Sequence, residues 1–134
     1  MPDLRVIGLA LFLVAGAAEA KVRFLNPVNT LPNGQGFEVV DRLGTDTARI
    51  WCDAARAAQA GGVGNTQRIY VSRTYGPSLT APGIDGVSFT STPDTAVQNA
   101  AQALTGARTL SLTTLGNNLT VGQGVGYCIF EIDG

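Results

Sequence analysis

Four carboxylates, Glu38, Asp41, Asp85 and Glu131, are the side chains that could do acid–base work in this chain, because its 134 residues contain no histidine. That absence removes the commonest general base, the usual triad partner of Ser and Cys, and the commonest transition-metal ligand. A carboxylate pair can still hydrolyse a glycosidic bond, so a carboxylate-dependent hydrolase of cell-wall glycan is the enzymatic alternative. Against it, the aromatic residues that a glycan cleft stacks on are few and scattered. Ser78, in Gly76-Pro77-Ser78, lacks the G-x-S-x-G surroundings of a nucleophile and has no assignable base. Glu131 and Asp133 alternate near the end of the chain and could touch a cation weakly, but two acids in such a place are ordinarily just solvated. No residue is assigned a catalytic role, and no metal or cofactor is expected.

Two glycine or asparagine motifs carry less than they suggest. Gly122-Gln123-Gly124-Val125-Gly126 is expected to precede a strand, whereas dinucleotide and phosphate loops follow a strand and open a helix. It reads as a turn or bulge. Asn118-Leu119-Thr120 fits the N-glycosylation pattern, which chance produces often.

The elements that would position these groups are organised around Thr47 to Ala60. Asp46 is a capping residue, Gly61-Gly62 a stop, and between them Ile50, Trp51, Ala54, Ala55, Ala57 and Ala58 gather on one helical face. Arg49, Asp53, Arg56 and Gln59 take the opposite face, and Cys52 sits at the edge of the stripe. Strands are expected at Phe37 to Val40, Arg68 to Thr74 and Gly86 to Ser91. Gly76 to Gly86, rich in proline and glycine, is a long loop within a hairpin. A second helix is expected from Thr92 as cap and Pro93 as first helical residue, through the stripe Ala96, Val97, Ala100, Ala101 and Leu104, to Gly106. Thr109 to Leu115 alternates as a strand would, Leu119 to Val121 returns beside it, and Val125 to Ile132 is apolar enough for a strand inside the sheet. The fold class is therefore α+β, a mostly antiparallel sheet with two helices packed on one face. The element order suits a ferredoxin-like split strand-helix-strand unit with an extra C-terminal hairpin.

Met1 to Arg5, the apolar run Val6 to Ala18 and the Ala18-Glu19-Ala20 pattern read as a secretory signal peptide over residues 1–20. The run, about 13 residues, is short of the roughly 20 a membrane span needs, so no membrane anchor is expected after cleavage. Residues 21–36 read as an extended N-terminal arm and 37–134 as a single domain. The mature chain from Lys21 has equal numbers of acidic and basic side chains, and Lys21 is its sole lysine. Such a surface offers no case for nucleic acid as a partner. Cys52 and Cys128, in an exported chain without a C-x-x-C pair, are expected to form a structural disulfide.

Trp51-Cys52-Asp53-Ala54-Ala55, Arg68-Ile69-Tyr70-Val71, Arg73, Gly76-Pro77-Ser78 and the Val87, Phe89, Thr90 strand resemble a group of small uncharacterised exported bacterial proteins. The resemblance implies a periplasmic location and carries no activity. The leading expectation is a non-enzymatic, periplasmic or extracellular binding or accessory module. Its loop from Arg73 to Gly86, with Arg73, Tyr75 and Ser78 as candidate binding residues, would contact a protein or small-molecule partner.

Overall fold

The computed structural model describes residues 26–106 and 109–131. The signal-peptide reading, residues 21–25 of the arm, and Asp133 lie outside them. The described elements run β1 (Val28–Thr30), β2 (Phe37–Val40), α1 (Thr47–Ala60), β3 (Arg68–Pro77), β4 (Asp85–Thr90), α2 (Thr95–Gln102), β5 (Asn118–Thr120) and α3 (Val121–Val125). A 3-10 turn, Gly126–Glu131, follows α3. The strands make one antiparallel sheet in the order β1-β2-β4-β3-β5, so the fold is α+β.

The central helix forms where its end signals lie. Asp46 accepts a hydrogen bond from the Arg49 amide at 3.0 Å, and the chain leaves the helix through Gly61 and Gly62, the latter at φ 89°. Ile50, Trp51, Ala54, Ala55 and Ala58 pack onto a sheet face made by Val39, Ile69, Val71, Val87 and Phe89. The Trp51 ring meets Phe89 edge-on with centroids 5.0 Å apart, and its indole N–H donates to the Leu110 carbonyl at 2.9 Å. Asp53, on the helix's polar side, is nevertheless buried: the Asn26 amide donates to it at 2.9 Å and Arg49 pairs with it at 3.5 Å.

β2 and β3 run parallel on either side of β4, with α1 crossing between them, which is a split strand-helix-strand unit. The remainder differs from the ferredoxin-like pattern. The place beside β2 is taken by β1, from the expected arm, with Val28 opposite Val39 and Thr30 opposite Phe37. β5 lies at the other edge, beside β3.

Three local expectations are corrected. The second helix is capped by Asp94, whose Oδ1 accepts from the Val97 amide at 2.9 Å; Thr92 instead donates its amide to the Thr90 hydroxyl. It ends at Gln102, short of Gly106. Thr109 to Leu115 is irregular because its hydroxyls take up backbone groups: Thr109 Oγ1 accepts from the Ser111 amide, and Ser111 Oγ from the Thr113 amide. The Asn117 side chain then donates to the carbonyls of Thr109 and Ser111.

The expected strand from Val125 to Ile132 is, where described, α3 and the 3-10 turn. Thr120 and Gln123 form a reciprocal capping box that starts a helix in a glycine-rich stretch. Gly124 lets this helix lie against α1: a Cβ there would stand 2.7 Å from the Ala55 Cβ and 3.2 Å from the Trp51 carbonyl oxygen. The Cys52–Cys128 disulfide, S–S 2.04 Å and Cα–Cα 5.1 Å, therefore joins α1 to the 3-10 turn and not to a strand.

Candidate functional site

β2 alternates. Phe37 and Val39 face α1, so Glu38 points to the opposite side of the sheet, where it is fully buried. It lies in a polar file running across four strands: Asn29 is paired with Glu38, Glu38 with Ser88, and Ser88 with Arg73. Gly86 makes room for the carboxylate, since a Cβ there would come within 2.9 Å of Glu38 Oε2.

Both carboxylate oxygens are used to hold the loop between β3 and β4. Oε1 accepts from the Thr80 hydroxyl at 2.6 Å, the Ser78 hydroxyl at 2.7 Å and the Thr80 amide at 3.1 Å, while Oε2 accepts from the Leu79 amide at 2.8 Å. The Ser78 hydroxyl also accepts from the Ala81 amide at 2.9 Å, and the loop is closed at its base by the Ser78 amide donating to the Ile84 carbonyl at 2.8 Å. Asn29 completes the network by donating to Thr80 Oγ1. Burial by itself pushes the Glu38 carboxyl upward, but the bonds from Thr80, Leu79 and Ser78 together outweigh it and hold the group below its ordinary value. Glu38 is thus ionised at neutral pH and committed to the loop. Above it, the Leu79 side chain is 56 % exposed.

The three candidate binding residues are placed as follows. Ser78 donates its hydroxyl to Glu38. Arg73 donates Nη1 to the Pro77 carbonyl at 2.7 Å, within its own strand. Tyr75 donates its hydroxyl to Asp41 Oδ2 at 2.8 Å, and that bond first, then burial and the charges of Asp41 and Asp85, push its pKa up to about 12. Asp41 Oδ1 meanwhile accepts from the Thr45 amide at 3.1 Å. The hydrogen-bonding groups of these residues build the loop and its base, whereas the side chain the loop presents is Leu79. The local signals were an apolar residue between two prolines and, separately, a carboxylate in an otherwise apolar strand; their meeting is long-range and has no local signal.

Of the four carboxylates, Glu38 and Asp41 are engaged in these bonds, Asp85 is exposed at the base of the loop, and the side chain of Glu131 lies outside the described residues. No cluster of three or more His, Cys, Asp or Glu side chains able to hold a metal ion occurs among the described residues. Asn118 of the glycosylation pattern is buried, its amide donating to the Gly116 carbonyl and accepting from Arg68. A groove of about 410 Å³ between Leu110, Leu119, Gln123 and Tyr127 has no carboxylate among the described residues of its lining.

No protein-family model, curated protein or solved structure matches this chain.

Proposed function

We propose that this chain is a small exported binding module, non-enzymatic, that acts in the periplasm or outside the cell through its 78–84 loop. The observation that carries the reading is the buried Glu38 carboxylate, whose bonds to Ser78, Leu79 and Thr80 fix a loop that leaves Leu79 exposed. A loop ordered before contact loses little conformational freedom on binding, which is the main way a small surface gains affinity. Burying an ionised carboxylate is costly unless it is fully bonded, so its use here supports a loop whose shape matters. The Cys52–Cys128 disulfide suits an oxidising compartment, and no helix of the described residues is long and apolar enough to cross a membrane.

The test is site-specific photo-crosslinking in the producing cell. A photoreactive residue at position 79 is expected to capture a defined partner from the exported fraction, and the same residue at exposed Gln102 on α2 is not. Equal capture at both positions, or none at 79, removes the loop from the function.

A further inference from the structure

The polarity of the loop indicates what kind of partner it fits. Residues 76–84 contain no charged side chain, and Pro77 and Pro82 have no N–H. The amides of Ser78, Leu79, Thr80 and Ala81 are all taken up internally, by the Ile84 carbonyl, Glu38 and the Ser78 hydroxyl. By contrast, apart from the Ala81 carbonyl, which the Ile84 amide meets across the Pro82-Gly83 turn, no donor among the described residues reaches the carbonyls of Ser78 to Gly83, and the N–H group left without a partner in the loop is that of Gly83. Glu38 therefore gathers the positive ends of successive peptide dipoles beneath the loop, and the groups left for a partner are mostly acceptors. Exposed Asp85 at the loop base adds to the negative side; of the cations near the base, Arg73 is bonded to the Pro77 carbonyl on the strand and exposed Arg42 follows Asp41, whose amide donates to the Asp85 carbonyl. An anionic membrane surface is the wrong match for such a loop, since it recruits Lys and Arg clusters.

Resting on the reading that the loop binds at all, we propose that it docks on a protein partner presenting an arginine or lysine beside an apolar socket. Leu79 fills the socket, and the cationic N–H groups bond the loop carbonyls. Charge-assisted bonds of this kind are stronger than neutral ones and give the contact its selectivity.

The experiment is selection of a random peptide display library on the immobilised oxidised protein, with counter-selection on a Leu79→Ser variant. The substitution lies at an exposed position, so the variant folds, as near-ultraviolet circular dichroism will verify. Enriched peptides are expected to pair Arg or Lys with a neighbouring aliphatic or aromatic residue. Replacing that Arg by citrulline should weaken a synthetic peptide about tenfold, the worth of one charge-assisted bond. Enrichment of acidic or charge-indifferent peptides, or failure of any clone to distinguish Leu79→Ser, overturns the proposal. Concentration-dependent self-association abolished by Leu79→Ser overturns it in favour of a second copy of the chain. Crosslinking at position 79 separates the two levels: capture there with charge-indifferent peptides leaves the loop reading standing and removes this inference alone.

Discussion

At the scale of single residues, Glu38 is the side chain on which most depends. Removing its charge while keeping its shape, in Glu38→Gln, leaves an amide N–H₂ facing donors that need an acceptor. Bonds to charged groups contribute about 1.5 to 3 kcal/mol each in net terms, and a mispaired buried group costs a similar amount. We expect Glu38→Gln to lower stability by roughly 2 to 3 kcal/mol in urea unfolding at pH 7, with loss of exchange protection at the Leu79 and Thr80 amides. The pH dependence has a definite sign. The folded pKa lies below the ordinary 4.5, so the stabilisation is present above that value and is lost as pH falls through the lower folded pKa. The wild-type protein should weaken in that acid window by more than Glu38→Gln does; equal losses would show that the carboxylate contributes nothing. Its neighbour Ser88 gives the opposite expectation. The Ser88 hydroxyl is buried without a hydrogen-bond partner among the described residues, so Ser88→Ala removes an uncompensated polar group and should leave stability unchanged or raise it by up to about 1 kcal/mol. A loss well beyond that range in the same unfolding assay would mean that the hydroxyl is satisfied in solution.

At the scale of elements, Gly124 sets two opposing effects against each other. Replacing a helical glycine by alanine gains about 0.8 to 1 kcal/mol of intrinsic propensity. Here the new methyl would meet the Ala55 Cβ at 2.7 Å, and neither that short side chain nor the Trp51 carbonyl can swing away. Overpacking of this kind costs about 1 to 3 kcal/mol, so Gly124→Ala should be destabilising on balance. Adding Ala55→Gly should restore part of the loss, a coupling that a double-mutant cycle measures; simple additivity would show that the two helices do not touch there. The same contact explains what the sequence did and did not disclose. α1 was legible because Asp46, the Trp51 stripe and Gly61-Gly62 all agree. The α3 region was not, because Cys128, Ile129 and Phe130 look like a buried strand, while the capping box of Thr120 and Gln123 is a local signal easily passed over amid glycines. Ile129 is in fact 67 % exposed. The 109–115 segment misleads for a related reason: leucine alternating with Ser and Thr has the period of a strand, yet its hydroxyls compete for the backbone. In the site, long-range pairing is what was hidden. Nothing local in Phe37-Glu38-Val39-Val40 says that Glu38 reaches a loop some forty residues later in the chain.

At the scale of the whole molecule, the chain is held by two independent devices. One is the sheet with its Trp51-centred core, to which the Glu38 loop belongs. The other is the disulfide, which closes a stretch of 76 residues and fastens the 3-10 turn to α1. In the chain-entropy account, a loop of that size is worth roughly 4 to 5 kcal/mol, and losing a native bridge from a small domain typically costs about 2 to 5 kcal/mol. We expect the Cys52→Ala, Cys128→Ala double variant to lose about that much, as read from denaturant midpoints at an unchanged slope. Where protection is lost should be uneven. α3 is a short glycine-rich helix, held by its capping box, its contact with α1 and the bridge, so its amides should exchange much faster without the disulfide. The Leu79 and Thr80 amides are bonded to a carboxylate on β2, on the sheet face opposite α1, so they should open only with global unfolding. Native-state hydrogen exchange on the two proteins decides the matter. If the loop amides lose protection together with α3, beyond the change in global stability, the binding loop and the disulfide-held end form one cooperative unit and the division into two devices is wrong.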